Sequence, residues 1–146
     1  MSAATGLTEP LQTVLAADPW FAALSLTQQQ QLLSLGRQRL LQAGQALFSR
    51  GDAFCGIYAL VSGQLLISGL HQSGRQALLT LLTPGQWLGE IALFDQKPRT
   101  HDAVALQDAV LWYIPRVALQ QLVSTEPMWW QAFGQLLTSK LRQVFI

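Results

Sequence analysis

Glu90 lies in an apolar run, Trp87-Leu88-Gly89-Glu90-Ile91-Ala92-Leu93-Phe94. An unpaired carboxylate would be costly to bury there. Nine residues later comes Arg99, directly after Pro98, whose ring stiffens the backbone. Between them Ile91–Phe94 has the composition of one helical turn, whose first backbone N–H groups have no partner of their own. An acceptor-only carboxylate, a row of free N–H donors and a planar guanidinium together suit a sugar phosphate. The carboxylate takes hydroxyl protons, and the helix start and the arginine take the anion. On the residues alone a second reading stays open, in which Glu90 and Arg99 form an ion pair with each other.

Short strands must position such a segment. Eight of the 11 glycines fall between Gly44 and Gly89, separating brief apolar stretches. That spacing marks strands joined by tight turns, hence an antiparallel sandwich or barrel. Strands are expected near Ala46–Phe48, Ile57–Val61, Gln64–Ser68, Ala77–Leu82, Ala103–Leu106 and Val110–Ile114. His71-Gln72-Ser73-Gly74 reads as a hairpin turn and Leu82-Thr83-Pro84-Gly85 as another. The expected core is Leu47, Ile57, Leu60, Leu65, Ile67, Leu79, Leu81, Leu88, Val104 and Leu111.

Helices flank the strands. Asp18-Pro19-Trp20-Phe21 is a capped start. Thr27 with Gln30 fits a capping box opening 28–35, closed by Gly36. Pro115 precedes a helix over 116–123. Pro127 opens a last helix whose apolar positions Trp130, Phe133, Leu137, Leu141 and Val144 form one stripe, widened by Trp129, Leu136 and Phe145. That stripe either packs on its own domain or pairs with a second copy.

Gly89-Glu90-Ile91-Ala92-Leu93-Phe94, a short loop and Pro98-Arg99-Thr100 resemble the phosphate-binding cassette of cyclic-nucleotide-binding domains. These occur in CRP/FNR-type (catabolite activator-like) transcriptional regulators and in cyclic-AMP-dependent kinase regulatory subunits. Arg50-Gly51-Asp52, Ile57 to Gly63, Gly74 and Leu111-Trp112-Tyr113-Ile114 are similar to further motifs of the family, in order, over residues 18–145.

The resemblance implies a mainly β fold with flanking helices: a β-roll (double-stranded β-helix, jelly-roll-like) followed by a C-terminal dimerisation helix. It divides the chain into an N-terminal tail and short helix (1–17), the roll (18–126) and the start of the dimerisation helix (127–146). It also implies a cyclic nucleotide as effector, cyclic AMP first and cyclic GMP second, with no tightly bound cofactor. Glu90 would accept from the ribose 2′-hydroxyl, and Arg99 would pair with the exocyclic phosphate oxygen. The N–H groups of Ala92 and Thr100 would complete the cradle, Gly89 would admit the ligand, and the Thr100 hydroxyl would add a contact. The expected partner is a second copy through the last helix. DNA is expected only through a C-terminal helix-turn-helix domain for which this chain has no room.

Two stretches depart from the family pattern. His101 and Asp102 stand where it has small residues, so His101 reads a base, senses pH or points to solvent. Val144 and Phe145 stand where the cyclic-AMP activator has polar base contacts.

Composition narrows the rest. Of 146 residues, 50% are hydrophobic and 12% charged, which excludes a disordered segment. Nine basic residues against eight acidic give +1, no electrostatic footprint for nucleic acid. One cysteine, Cys55, excludes an internal disulfide and the oxygen-sensing iron–sulfur branch of the family, and it reads as a structural small hydrophobe rather than a redox sensor. The start has no signal-peptide pattern, and no run reaches the ~18 apolar residues of a membrane helix. A cytoplasmic, non-enzymatic domain is expected. A ligand-free or different-ligand β-roll module is the alternative, and a cupin-type enzyme would need more clustered histidines than two.

Overall fold

Eight strands and five helices are described in a computed structural model covering residues 10–70 and 76–144, with residues 10–15 also helical. The strands are β1 (Arg37–Leu41), β2 (Ala46–Phe48), β3 (Gly56–Ser62), β4 (Leu65–Leu70), β5 (Gln76–Leu82), β6 (Trp87–Leu88), β7 (Asp102–Ala105) and β8 (Ala109–Pro115). The helices are α1 (Pro19–Ala23), α2 (Leu26–Ser34), α3 (Ile91–Asp95), α4 (Arg116–Thr125) and α5 (Met128–Val144). The strands form two four-stranded antiparallel sheets, β1-β8-β3-β6 and β2-β7-β4-β5. This is the expected β-roll with flanking helices. Among the described residues no helix is long and apolar enough to cross a membrane.

Strand β3 explains why its sequence is an unbroken apolar run. Both its faces are covered. Tyr58 and Leu60 point into the roll with Leu65, Leu88 and Leu111. Ile57 and Ala59 point the other way, into a second cluster with Trp87, Trp112 and the aromatics of α1 and α5. That second cluster ties the helices to the sheet carrying β6, the strand that leads into α3.

Several expectations need correction. Leu79 and Leu81 are 62% and 50% exposed. Leu82 pairs with the buried Leu65, so strand alternation turns 79 and 81 outward. Ile67 and Val104 are only partly buried. The capping box is Ser25 with Gln28, two residues earlier than Thr27 with Gln30. Gly36 follows α2 without a left-handed conformation. Its lack of a side chain makes room for Trp112, whose Nε1 would lie 2.4 Å from a Cβ at position 36. The α4 helix runs to Thr125, with Pro115 as its N-cap. Strands β1 and β6 were not expected. The His71–Gly74 turn, Met1–Glu9 and Phe145 lie outside the described residues.

The stripe on α5 divides. Trp129, Phe133 and Leu136 are fully or nearly fully buried in the domain's own core. Trp130 and Leu141 are exposed and Leu137 is half-buried, on the next face round. Phe133 therefore belongs to the domain, not to a face left for a partner.

Candidate functional site

Gly89 takes φ +96° between β6 and α3, a left-handed conformation that favours glycine. Glu90 then forms the N-cap of α3, but its side chain does not cap the helix. It turns inward instead and is 2% exposed. Its Oε1 accepts from Lys140 Nζ of α5 at 2.7 Å. Lys140 also donates to the Trp87 carbonyl. The carboxylate that the sequence singled out thus meets a lysine that the sequence did not. Lys140 follows Phe133 and Leu136 at helical spacing, and a cation continuing a buried face was the available signal.

Arg99 is 5% exposed. Its backbone is pinned on both sides: its N–H donates to Asp52 O and its carbonyl accepts from Gly51 N–H, both at 2.8 Å. Its Nη2 donates to Gly56 O at 2.6 Å, and its Nη1 donates to Gly89 O at 3.1 Å. The guanidinium carbon sits 4.4 Å from the Phe48 ring centroid, with Phe54 and Tyr58 at 5.2 and 5.9 Å. Its Nε is buried and has no hydrogen-bond partner. Among the described residues no carboxylate lies within ion-pair distance of it. The reading in which Glu90 and Arg99 neutralise each other is overturned: the acid takes Lys140, and the arginine takes carbonyls and aromatic faces.

The backbone around them fits an anion. The N–H groups of Ala92 and Thr100 have no acceptor among the described residues. Gly89 is packed so tightly that a Cβ there would lie 2.7 Å from Arg99 Nη1. Thr100 is exposed beside this cradle, its Oγ1 2.7 Å from His101 Nδ1. His101 does not simply point to solvent, since its ring is half-buried against Gly69. Asp102 is held back from the site, its Oδ1 accepting from Arg50 N–H at 2.6 Å. The Val144 side chain lies outside the described residues, so it assigns no base contact.

Cys55 is exposed, which does not suit the structural small hydrophobe expected there. Its Sγ is 3.3 Å from the Tyr58 hydroxyl and accepts from Arg99 Nη2 at 3.6 Å. Burial pushes the thiol up, but hydrogen bonds from Tyr58 and Arg99 and the guanidinium charge outweigh it, and the thiol ends below its ordinary range. Burial and the Cys55 contact push Tyr58 upward. Among the described residues no three His, Cys, Asp or Glu side chains come together as a metal site.

The sequence profile of the cyclic nucleotide-binding domain matches residues 38–126. The cyclic AMP receptor protein of Thermus thermophilus is 30% identical over 125 residues, covering 86% of this chain and 58% of that protein. The crystal structure of the Thermus thermophilus catabolite activator protein superposes with a TM-score of 0.76 at 30% identity, over 87% of this chain and 60% of that one. The N-terminal domain of a transcriptional regulator from Streptomyces coelicolor gives a TM-score of 0.71 at 28% identity, over 89% and 93%.

Proposed function

This chain belongs to the cyclic nucleotide-binding domain family, with relatives of the CRP/FNR type, and from that premise we propose that it senses a cyclic nucleotide in order to control DNA binding. The observation that carries this reading is Arg99. A buried guanidinium with no counter-carboxylate among the described residues and an orphaned Nε–H is costly to maintain, and a phosphate would relieve both costs. Arg99 takes the exocyclic oxygen, the N–H groups of Ala92 and Thr100 take another, and Glu90 takes the ribose 2′-hydroxyl. Gly89 lets the ligand approach the backbone. Cyclic AMP is the first candidate because the Thermus relative is a cyclic AMP receptor protein, and cyclic GMP is the second.

Lys140 gives the ligand a route to the last helix. A hydroxyl that donates to Glu90 competes with or joins the Lys140 ion pair, so occupancy and the position of α5 are coupled. That coupling controls output only if the ligand favours one helix position over another. In this reading residues 18–126 form the sensor, and the last helix, from 127 onward, pairs with a second copy through Trp130, Leu137 and Leu141. In this reading the DNA contact belongs to a further domain; the chain spans a little over half the length of its Thermus relative. A cytoplasmic, non-enzymatic role follows.

Isothermal titration with cyclic AMP and cyclic GMP, repeated on Arg99→Ala, tests the reading. Heat from one nucleotide that Arg99→Ala abolishes is the expected result. No heat from either nucleotide with folded protein rejects it.

A further inference from the structure

Thr100 has one hydroxyl proton, and its neighbour decides where that proton goes. Oγ1 and His101 Nδ1 are 2.7 Å apart. A neutral imidazole with its proton on Nε2 presents Nδ1 as an acceptor. The hydroxyl then donates to the ring and turns only lone pairs toward the cradle. A protonated ring donates from Nδ1 to Oγ1 and releases the hydroxyl proton for another acceptor. The first state offers an incoming anion a lone pair. The second offers it a donor and a nearby positive charge. A neutral ring reaches the donor state only by moving its proton to Nδ1, and it brings no charge.

The ring is held in place. It lies over Gly69 of β4, where a Cβ would sit 2.8 Å from His101 Cδ2. The charged groups that act on it are Asp102, the next residue and the first of β7, and Arg50, from the segment after β2. Gly69 contributes no charge from the facing strand. Burial pushes the imidazole below its ordinary value of 6.5, Asp102 pushes it up and Arg50 pushes it down again. The net effect disfavours the charged ring.

We propose that His101 is a positioning residue for the phosphate: by setting whether Thr100 donates or accepts, it makes anion binding at the cassette proton-linked. The inference rests on the reading of Arg99 and Thr100 as phosphate ligands. Linkage fixes the sign. An anion favours the protonated ring, so binding raises the His101 titration midpoint and takes up a proton. Affinity then rises as pH falls, by about tenfold for each unit by which the midpoint moves.

The test is cyclic AMP titration calorimetry on the whole chain between about pH 6 and about pH 8, in buffers of differing ionisation enthalpy. Affinity should rise several-fold toward the acid side with net proton uptake. His101→Gln and Thr100→Val should each flatten the slope, whatever their absolute affinity. A flat wild-type profile, or a slope that persists in His101→Gln, overturns the proposal. If cyclic AMP gives no heat at any pH, the nucleotide reading fails separately, and the His101 midpoint is then followed by ring nitrogen NMR with and without inorganic sulfate. A midpoint raised by sulfate, and not raised in Thr100→Val, supports the proton link. An unmoved midpoint overturns it.

Discussion

The two buried charged residues of the cassette, Glu90 and Arg99, are exposed almost equally little and neutralised quite differently. Glu90 has a full ionic partner, Lys140, delivered from a helix 50 positions away in the chain. Arg99 has carbonyl oxygens, a thiol and three aromatic faces, but no acid among the described residues. Each contact lowers the cost of burying the guanidinium, and none cancels its charge. The difference separates two tasks. The arginine side is kept electrostatically incomplete, as a place built to receive an anion would be. The acid side is already complete, and its completion depends on where α5 sits.

The comparison is sharpest in Arg99→Met. Removing the guanidinium should weaken cyclic nucleotide binding by at least about 100-fold, as expected for losing charge-assisted hydrogen bonds. Unfolding stability should stay within about 1 kcal/mol of wild type, because lost bonds to the Gly56 and Gly89 carbonyls offset the removal of an unpaired buried charge. Titration calorimetry and urea denaturation read the two effects. A large loss of stability would mean that Arg99 is mainly a structural residue.

Lys140→Met should behave in the opposite way. It strands a buried carboxylate, so stability should fall by about 1–3 kcal/mol, discounted because Lys140 is partly exposed. Combining it with Glu90→Gln should recover much of that loss in a double-mutant cycle measured by urea melts. Strict additivity of the two changes would show that the pair contributes nothing.

Much of this was legible in the sequence, and the failures have identifiable causes. The six expected strands and the cassette stand out because glycines and a proline punctuate apolar runs. Strand β1 was missed because Arg37-Gln38-Arg39 has no apolar alternation. Its arginines instead lie over Tyr113 and Tyr58, at 5.3 and 5.9 Å. The capping box slipped because Gln28–Gln31 is all glutamine, so the motif fits both Ser25 and Thr27. Strand β5 has leucines at 78, 79, 81 and 82, which leaves its inward face undetermined until pairing with β4 fixes it. Lys140 was not legible as Glu90's partner because that contact depends on how α5 packs across β6. The stripe on α5 was read as one face because apolar residues occupy two adjacent faces, and only the core shows which one the domain uses.

That division makes a smaller prediction about assembly. With Phe133 buried, the stripe leaves Trp130, Leu137 and Leu141 for a second copy to cover, with Met128 exposed at the start of the same helix. The seam is therefore modest, and Leu141→Glu should weaken self-association by roughly tenfold or more while leaving the monomer's melt nearly unchanged. Sedimentation of wild type and Leu141→Glu across a concentration series checks the association. A wild-type monomer at high concentration would assign this face to solvent.

The smallest expected effect reports on Arg99 without touching it. Cys55 is the chain's single cysteine, is exposed, and accepts from the Arg99 guanidinium. Its thiol is held below the ordinary range partly by that charge. A phosphate that neutralises Arg99 removes part of this support, so the thiol should rise and the thiolate fraction at neutral pH should fall. Saturating cyclic AMP should then slow iodoacetamide alkylation about two- to fivefold near pH 7. Arg99→Met should slow it similarly without ligand and show no further response when ligand is added. Steric shielding by the ligand would also slow alkylation, but at every pH. A change in ionisation vanishes at alkaline pH, where both states are fully thiolate. Convergence of the two rates at high pH supports the electrostatic link between ligand and Arg99. A constant ratio across the profile shows that the nucleotide merely covers the sulfur.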